Sequence, residues 1–276
     1  MTEEPAGEEG SGEEGSSHED GPVDEGASAR KARTADAFGA RASRYRTSAV
    51  HREGADLDRL AAWCEGARRA LDVATGAGHT ARALLDRDVP TVVATDASPA
   101  MVETAVDGTP GLRGVVADAE RLPIADGAFD AVTCRIAAHH FPAPVAFVAE
   151  VHRALRPGGV LAFEDNVAPE DAAVAAFLDR LERVHDPSHV NAHSAATWER
   201  WLSAAGFAVE AVVPIRKPVV FADWAGTGAG VGRAELEPRL LEAPPSVRAA
   251  LDVRTVDGSV VSFVIPKALV RAVRAP

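Results

Sequence analysis

Short apolar runs alternate with segments of helical spacing between residues 69 and 163, and this alternation constrains the fold more than any other feature. The predicted strands are 70–74, 91–95, 114–117, 129–134 and 160–163, and helices are predicted at 79–87 and 144–155. Strands that alternate with helices build a doubly wound α/β fold, in which helices cover both faces of a mostly parallel sheet. Later strands at 206–213 and 258–265 are expected to complete a seven-stranded sheet, the last of them antiparallel at its edge.

The negative charge of the chain is concentrated near its start. Residues 1–29 contain ten acidic residues and no Lys or Arg, although the whole chain has 41 acidic and 29 basic residues. This stretch also lacks aromatic residues, so it has little to bury against the entropy of ordering. We therefore expect residues 1–34 to be an acidic disordered tail, which acts either as a solubilising arm or as a protein-docking arm. Residues 35–276 are expected to form the folded domain.

Composition argues against several classes of protein. No apolar run approaches the length of a membrane span, and an acidic N-terminus is not a secretory signal. Cys64 and Cys134 are too few for a disulfide scaffold or a Cys-rich zinc site, which favours a cytoplasmic protein. The excess of acidic residues argues against non-specific binding of nucleic acid, which needs a cluster of basic residues.

Residues suited to a nucleoside ligand follow the first two strands. Gly76 and Gly78 form a Gly-x-Gly loop, and Asp96 ends the second strand 20 residues after Gly76. Glycines let the backbone approach a ligand closely, and a carboxylate at this spacing suits ribose hydroxyls. The loop also satisfies the looser dinucleotide fingerprint through Ala81. These two signals fit a nicotinamide enzyme and a methyl-transfer enzyme alike.

Three motifs further along the chain separate these two classes. Asp118-Ala-Glu-Arg-Leu-Pro123 follows the third strand, Asp126-Gly-Ala-Phe-Asp130 leads into the fourth, and Arg156-Pro-Gly-Gly159 precedes the fifth. The ordered set resembles the class I S-adenosylmethionine-dependent methyltransferases, especially the methyltransferase type 11 group, and is similar to the ubiquinone/menaquinone-biosynthesis methyltransferases. The resemblance implies a Rossmann-like fold, S-adenosyl-L-methionine as the cofactor, a cofactor-binding core at 35–165, and acceptor-side elements and the last strands at 166–276.

The resemblance also implies a role for individual residues. Asp72 and the turn after it would hold the methionine part of the cofactor, and Asp96 would bind the ribose. Met101 would pack near the adenine, Asp118 would accept from the adenine amino group, and Arg135 would lie near the sulfonium. The expected cofactor-binding residues are Tyr45, Asp72, Ala74, Thr75, Gly76, Gly78, Asp96, Ala97, Met101, Asp118, Ala119 and Arg135.

Tyr45 matches an N-terminal aromatic residue that in this group closes over the cofactor, although packing in the core or a place on the surface is the alternative. It lies seven residues after Phe38 in a predicted helix at 35–45. The two would therefore share one face of that helix.

The acceptor is expected to meet the methyl group after the fourth strand, where His139 and His140 stand. Imidazole titrates near neutral pH, so either histidine could act as a general base on a hydroxyl or an acidic C–H group. Adjacent side chains point in different directions, so at most one is expected to face the reacting atoms, and helix capping or packing is the alternative. The expected activity is in-line methyl transfer to a small-molecule acceptor. The alternatives are a non-catalytic S-adenosylmethionine-binding, protein-interaction module and a nicotinamide-dependent oxidoreductase.

Two later segments are expected to be connections. The segment 185–193 contains three histidines and Asp186, but no helix places them on one face, so a substrate lid or structural loop is expected and no metal site. The Gly-rich segment 222–232 lacks the strand–helix context of a phosphate loop and is expected to be flexible.

Overall fold

The computed structural model of the protein describes residues 25–42 and 54–276. Tyr45 and most of the predicted acidic tail lie outside these residues. Within the described ranges, none of the helices combines the length and the apolar character that a bilayer crossing requires.

The main sheet has seven strands in the order β3-β2-β1-β4-β5-β10-β6. The first five strands pair in parallel, whereas β10 is antiparallel to both β5 and β6. The expected doubly wound, mostly parallel sheet with an antiparallel strand near the C-terminus is confirmed. Its strands are β1 (Arg69–Val73), β2 (Thr91–Asp96), β3 (Arg113–Val116), β4 (Phe129–Arg135), β5 (Leu155–Asn166), β6 (Phe207–Ile215) and β10 (Lys267–Arg274).

Helices cover both faces of this sheet. One core cluster contains Phe147, Val151 and Trp198, and a second contains Leu60, Leu84 and Ala105. The central strands β1 and β4 are buried along almost their whole length because they have a helical layer on each side. The helices of these layers are α2 (Ala55–Ala62), α3 (His79–Leu85), α4 (Pro99–Asp107), α5 (Pro144–Ala154) and α7 (Ala195–Ala204), whereas α6 (Ala172–His185) belongs to a separate core.

Helix starts follow the expected chemistry in part. Pro99 stands at the first position of α4, and the Ser194 hydroxyl caps α7 by accepting from the Thr197 amide at 3.2 Å. The Ser98 side chain makes no capping bond to α4. Asp56, which the sequence suggests as the cap of the helix before β1, instead lies inside α2 and is buried.

The second sheet corrects the expected place of the last strand. Residues 259–264 form β9, which pairs with β7 (Pro218–Val220) and β8 (Arg254–Val256) in a separate three-stranded sheet. The antiparallel strand of the main sheet is β10, which lies between β5 and β6 and not at an edge. The second sheet packs with α6, α8 (Phe221–Thr227), α9 (Arg233–Leu241) and α10 (Pro245–Ala250) around its own core.

The N-terminal helix also differs from expectation. Helix α1 (Glu25–Gly39) begins ten residues before the predicted start of order at Ala35, so residues 25–34 are helical and not part of a disordered tail. The helix contacts α4 and lies over the carboxyl ends of the first strands. The sequence of α1 is weakly apolar and by itself predicts little helix, so the contact with the rest of the fold stabilises the helical conformation.

The Gly-rich segment is packed and not a loose connection. Its first part is the helix α8, and its second part pairs with the end of α6. The Gly230 amide donates to the His185 carbonyl at 2.8 Å, and the Val231 amide donates to the Val184 carbonyl at 3.1 Å.

The centre of the main sheet predicts one stability effect. Leu161 lies in β5 and is 1% exposed, whereas Val145 on α5 is 54% exposed. Leu161→Ala should lower the free energy of unfolding by about 2–5 kcal/mol because it removes buried methyl groups and leaves a cavity. Val145→Ala should change it by less than about 0.5 kcal/mol. Urea unfolding of both variants measures the two effects, and equal losses would contradict the assignment of this core.

Candidate active site

A cavity of about 500 Å³ lies beyond the carboxyl ends of β1, β2, β3 and β4, beneath α1. Ligands of open parallel sheets bind at this edge. The cavity wall contains many of the residues singled out from the sequence: Ala74, Thr75, Gly76, Asp96, Ala97, Met101, Asp118, Ala119, Arg135 and His140. Asp72, Gly78 and His139 lie behind the wall, and Tyr45 is outside the described residues.

The two glycines after β1 have different surroundings. A side chain at Gly76 would meet no heavy atom within 4 Å, so the backbone there is open to the cavity. Gly78 has a φ of +81°, and a Cβ atom there would come within 2.9 Å of the Ala105 Cβ on α4. Gly76 therefore leaves room for a ligand, whereas Gly78 lets the start of α3 pack closely against α4.

Asp96 connects the ends of β1 and β2. Its carboxylate accepts from the Gly76 amide at 3.0 Å and from the Ser98 amide at 2.9 Å. Burial raises the pKa of Asp96, and these backbone hydrogen bonds oppose that shift. Each carboxylate oxygen has two lone pairs, so both oxygens retain capacity to accept from a ligand in the cavity.

Asp118, after β3, forms an ion pair with Lys31, a residue expected to lie in the disordered tail. Lys31 of α1 donates to Asp118 Oδ2 at 2.7 Å and forms a second ion pair with Glu120. Burial lowers the pKa of Lys31, but the two carboxylates outweigh it and leave that pKa raised. The missed signal is Lys31 itself, the first lysine after the acidic run.

Asp72 supports the loop from beneath. Its carboxylate accepts from the Thr75 and Thr133 hydroxyls, each at 2.6 Å, and is 1% exposed. Burial raises the pKa of Asp72 to about 6, although the two hydroxyl hydrogen bonds lower it. Asp72 therefore joins β1, the loop after it and β4, and its side chain does not reach the cavity wall.

Arg135 ends β4 inside a buried ion network. Its Nη2 atom lies 2.7 Å from Asp56 Oδ2, and its Nε atom lies 2.7 Å from Glu164 Oε2. Lys217 adds a longer contact of 3.8 Å to Asp56. Burial raises the pKa of Glu164, and the charge of Arg135 opposes that shift. The network fixes the end of β4, from which the chain enters the histidine segment.

The two histidines occupy different environments, in a short 3₁₀ turn (Ala138–His140). His140 lines the cavity, whereas the Nδ1 atom of His139 lies 2.6 Å from Asp165 Oδ1. Burial lowers the pKa of His139, but Asp165 outweighs it and the net shift is upward. Burial, and then the neighbouring His139, lower the pKa of His140 to about 3. His140 is thus a neutral ring in the wall, backed by a ring that favours its protonated form.

The segment 185–193 lies against these histidines. The Val190 and Asn191 amides donate to the His139 carbonyl at 2.9 Å and 3.1 Å, and the Ser188 hydroxyl lies 3.2 Å from His140 Nδ1. Across residues 25–42 and 54–276, no three His, Cys, Asp or Glu side chains converge to hold a metal ion. The contact of this segment with His140 is not visible in the sequence, because it joins residues 48 positions apart.

Asp72 predicts a distinctive dependence of stability on pH. Its folded-state pKa of about 6 exceeds its ordinary value of 3.8, so the folded protein binds more protons between these values. Stability from Asp72 is therefore lost as pH rises through this range. The unfolding free energy of wild type minus that of Asp72→Asn should fall by about 2 kcal/mol between pH 4 and pH 7.

Urea unfolding across this pH range measures the difference. Asp223→Asn, at an exposed position on α8, is the matched control and should leave the unfolding free energy within about 0.5 kcal/mol of wild type. A difference for Asp72→Asn that does not change with pH would contradict the burial effect.

Comparisons with known proteins agree with this geometry. A family model described as a methyltransferase domain matches residues 71–163. YcgJ, an uncharacterized methyltransferase of Bacillus subtilis (strain 168), is 36% identical over 198 residues, which cover 69% of this chain and 78% of YcgJ. A demethylmenaquinone methyltransferase of Beutenbergia cavernae is 40% identical over 115 residues, which cover 42% of this chain and 47% of that enzyme.

The fold gives the same result. A solved structure from Bacillus halodurans C-125 is 35% identical, has a TM-score of 0.75, and covers 81% of this chain and 100% of its own. The position of the cavity beyond the ends of β1–β4 and the similarity to known methyltransferases therefore indicate the same family. The chain belongs to the S-adenosylmethionine-dependent methyltransferases and has S-adenosylmethionine as its cofactor.

Proposed function

We propose that this enzyme transfers a methyl group to a small-molecule acceptor, and that His140 contacts the acceptor. One observation carries the proposal: the same cavity is lined by Gly76 and Asp96 after the first two strands and by His140 after the fourth. A ligand bound at the first two strands and an acceptor beside the histidine would therefore share one cavity.

The chemistry of the wall fits the cofactor. S-adenosylmethionine supplies a methyl group on a positively charged sulfur. Asp96 is suited to accept from its ribose hydroxyls, and Asp118 is suited to accept from its adenine amino group while Lys31 holds the other side of the carboxylate. Gly76 leaves the backbone accessible for the amino-acid part. The Lys31 and Arg135 side chains, which also line the wall, are bound by carboxylates, and this arrangement does not favour a pyrophosphate ligand.

A small acceptor is supported by the cover over the cavity. Lys31, Ala35 and Phe38 of α1 line the side that faces the ends of the strands, and the Phe38 and His140 rings make a T-shaped contact with 4.9 Å between centroids. An acceptor has to fit between α1 and the histidine turn. The volume of about 500 Å³ is within the range of small-molecule sites.

The histidine pair supports proton removal from an O–H or acidic C–H acceptor. The lowered pKa of His140 keeps its ring unprotonated at neutral pH, as a base requires, but makes it a weak base that suits an acceptor with an acidic proton. The neutral His140 ring can accept a hydrogen bond from the acceptor, whereas His139, paired with Asp165, favours its charged form.

Cofactor binding is tested first at Asp96. Asp96→Ala removes a charged acceptor from the wall, so the dissociation constant of S-adenosylhomocysteine should rise about ten- to a hundredfold in calorimetry. Asp96→Asn, which keeps one carbonyl oxygen, should lose less. Asp107→Asn, an exposed acid at the end of α4, is the control. Unchanged binding by a folded Asp96→Ala would refute the ribose role, and tighter binding of NAD than of S-adenosylhomocysteine would favour an oxidoreductase.

Acceptor chemistry is tested at His140. His140→Gln should leave S-adenosylhomocysteine affinity within about twofold and lower the rate of methyl transfer by roughly 10²–10⁴. Transfer from a labelled methyl donor is measured against phenols, carboxylic acids, amines and compounds with acidic C–H groups. His152→Gln, on α5 outside the cavity wall, is the control. Full activity of His140→Gln would exclude His140 as the base.

A further inference from the structure

We propose that Asp186 and Ser188 are positioning residues that hold His140 as the tautomer protonated at Nδ1, with Nε2 left as the base. The inference deepens the proposed function and rests on it, because it gives a role to the residues that face the acceptor-contacting ring. The segment 185–193 is then a part of the active site and not only a structural loop.

Three contacts define the arrangement. The Ser188 hydroxyl lies 2.5 Å from Asp186 Oδ1, and the Ser188 amide donates to the same oxygen at 2.9 Å. On its other side, the Ser188 hydroxyl lies 3.2 Å from His140 Nδ1. Both Asp186 and Ser188 are buried, at 7% and 8% exposure, so water competes little for these bonds.

The direction of the hydrogen bonds from His140 through Ser188 to Asp186 follows from counting the donors. A carboxylate only accepts, so the single proton of the Ser188 hydroxyl is donated to Asp186. The hydroxyl oxygen must then accept from His140, which requires a proton on Nδ1. A neutral imidazole has one N–H group, and the hydrogen bond made by one nitrogen decides the tautomer. Nε2 is consequently unprotonated on the ring that lines the cavity.

The ionisation of Asp186 agrees with this direction. Burial raises the pKa of Asp186, and the two Ser188 bonds and the charge of Arg41 oppose that shift. Arg41, in the turn after α1, places its Nη2 atom 3.8 Å from Asp186 Oδ2. Asp186 is therefore the charged acceptor at the end of this series of hydrogen bonds.

Neighbouring elements fix the position of the His140 ring relative to the segment 185–193. The charged and titratable groups around His140 are His139 on the same turn, Asp186 and His189 on the facing segment, and Arg41, in the turn after α1, beside Asp186. The Val190 and Asn191 amides both donate to the His139 carbonyl, which joins the facing segment to the histidine turn next to Ser188. Phe38 of α1 makes a T-shaped contact with the His140 ring.

The tautomer can be measured without an acceptor. Two-bond ¹H–¹⁵N correlation spectra of the ¹⁵N-histidine-labelled full chain distinguish protonated from unprotonated ring nitrogens. His140→Gln assigns the His140 signals among those of the nine histidines. In wild type at pH 7.5, His140 should show a protonated Nδ1 and an unprotonated Nε2. Finding the proton on Nε2 in wild type would overturn the proposal.

Ser188 variants test the anchor itself. Ser188→Ala removes the acceptor, so His140 should change to the Nε2-protonated form or to a mixture of both forms. Ser188→Thr keeps the hydroxyl and should retain the wild-type tautomer. Ser188→Cys keeps the size but is a weak acceptor, so it should give a mixture even if Ser188→Ala fails to fold. A wild-type spectrum for His140 in both Ser188→Ala and Ser188→Cys would also overturn the proposal.

Kinetics separate positioning from a general structural role. With an acceptor in hand, Ser188→Ala should lower kcat at least tenfold, leave the dissociation constant of S-adenosylhomocysteine within about twofold, and change the acid limb of the pH–rate profile. Ser188→Thr should restore kcat. Equal activity of Ser188→Ala and wild type would refute positioning. Wild-type protein that shows the expected tautomer but transfers no methyl group would instead count against the proposed function.

Discussion

The geometry of the candidate site depends on how Arg135 is held at the end of β4. Asp56 on α2 and Glu164 on β5 bind its guanidinium from two sides, so one buried cation joins a helix and two strands. Burying such a group contributes little net stability, but removing one partner leaves the others uncompensated and costs several kcal/mol. Because the chain turns directly after Arg135, with Ile136 at a φ of 53°, the network also sets where the histidine turn begins.

Helix α1 connects parts of the site that are distant in sequence. Lys31 binds Asp118 after β3, Phe38 contacts His140, and Arg41 lies beside Asp186 and donates to the Thr227 carbonyl on α8. Helix α1 and the turn after it therefore contact the end of β3, the histidine turn and helix α8. Their charged groups balance carboxylates that would otherwise repel one another in a protein with a formal net charge of -12.

Local patterns predicted the parts of the fold that local physics decides. The strands from Arg69 to Phe163 are short apolar runs bounded by turn residues, so they could be predicted from the sequence. Gly76, Gly78 and Asp96 were identified from their positions after strands, whereas Met101, Asp118 and Arg135 came from the family resemblance. Strand β10 was missed because Lys267, Arg271 and Arg274 break its apolar pattern, although it is largely buried between two strands. Lys31 and Ser188 were missed, and Asp56 was taken for a helix cap, for a related reason: each acts through a partner far along the chain.

The position of β10 has a consequence for how the chain folds during synthesis. β5 ends at residue 166, but the strand that pairs with its outer edge is not made until residue 274. For about a hundred residues of translation, the hydrogen-bonding groups on that edge have no native strand beside them, and such an edge is a template for wrong pairing. The half of the sheet that lines the cavity can assemble first, whereas the sheet becomes complete only when β10 inserts between β5 and β6.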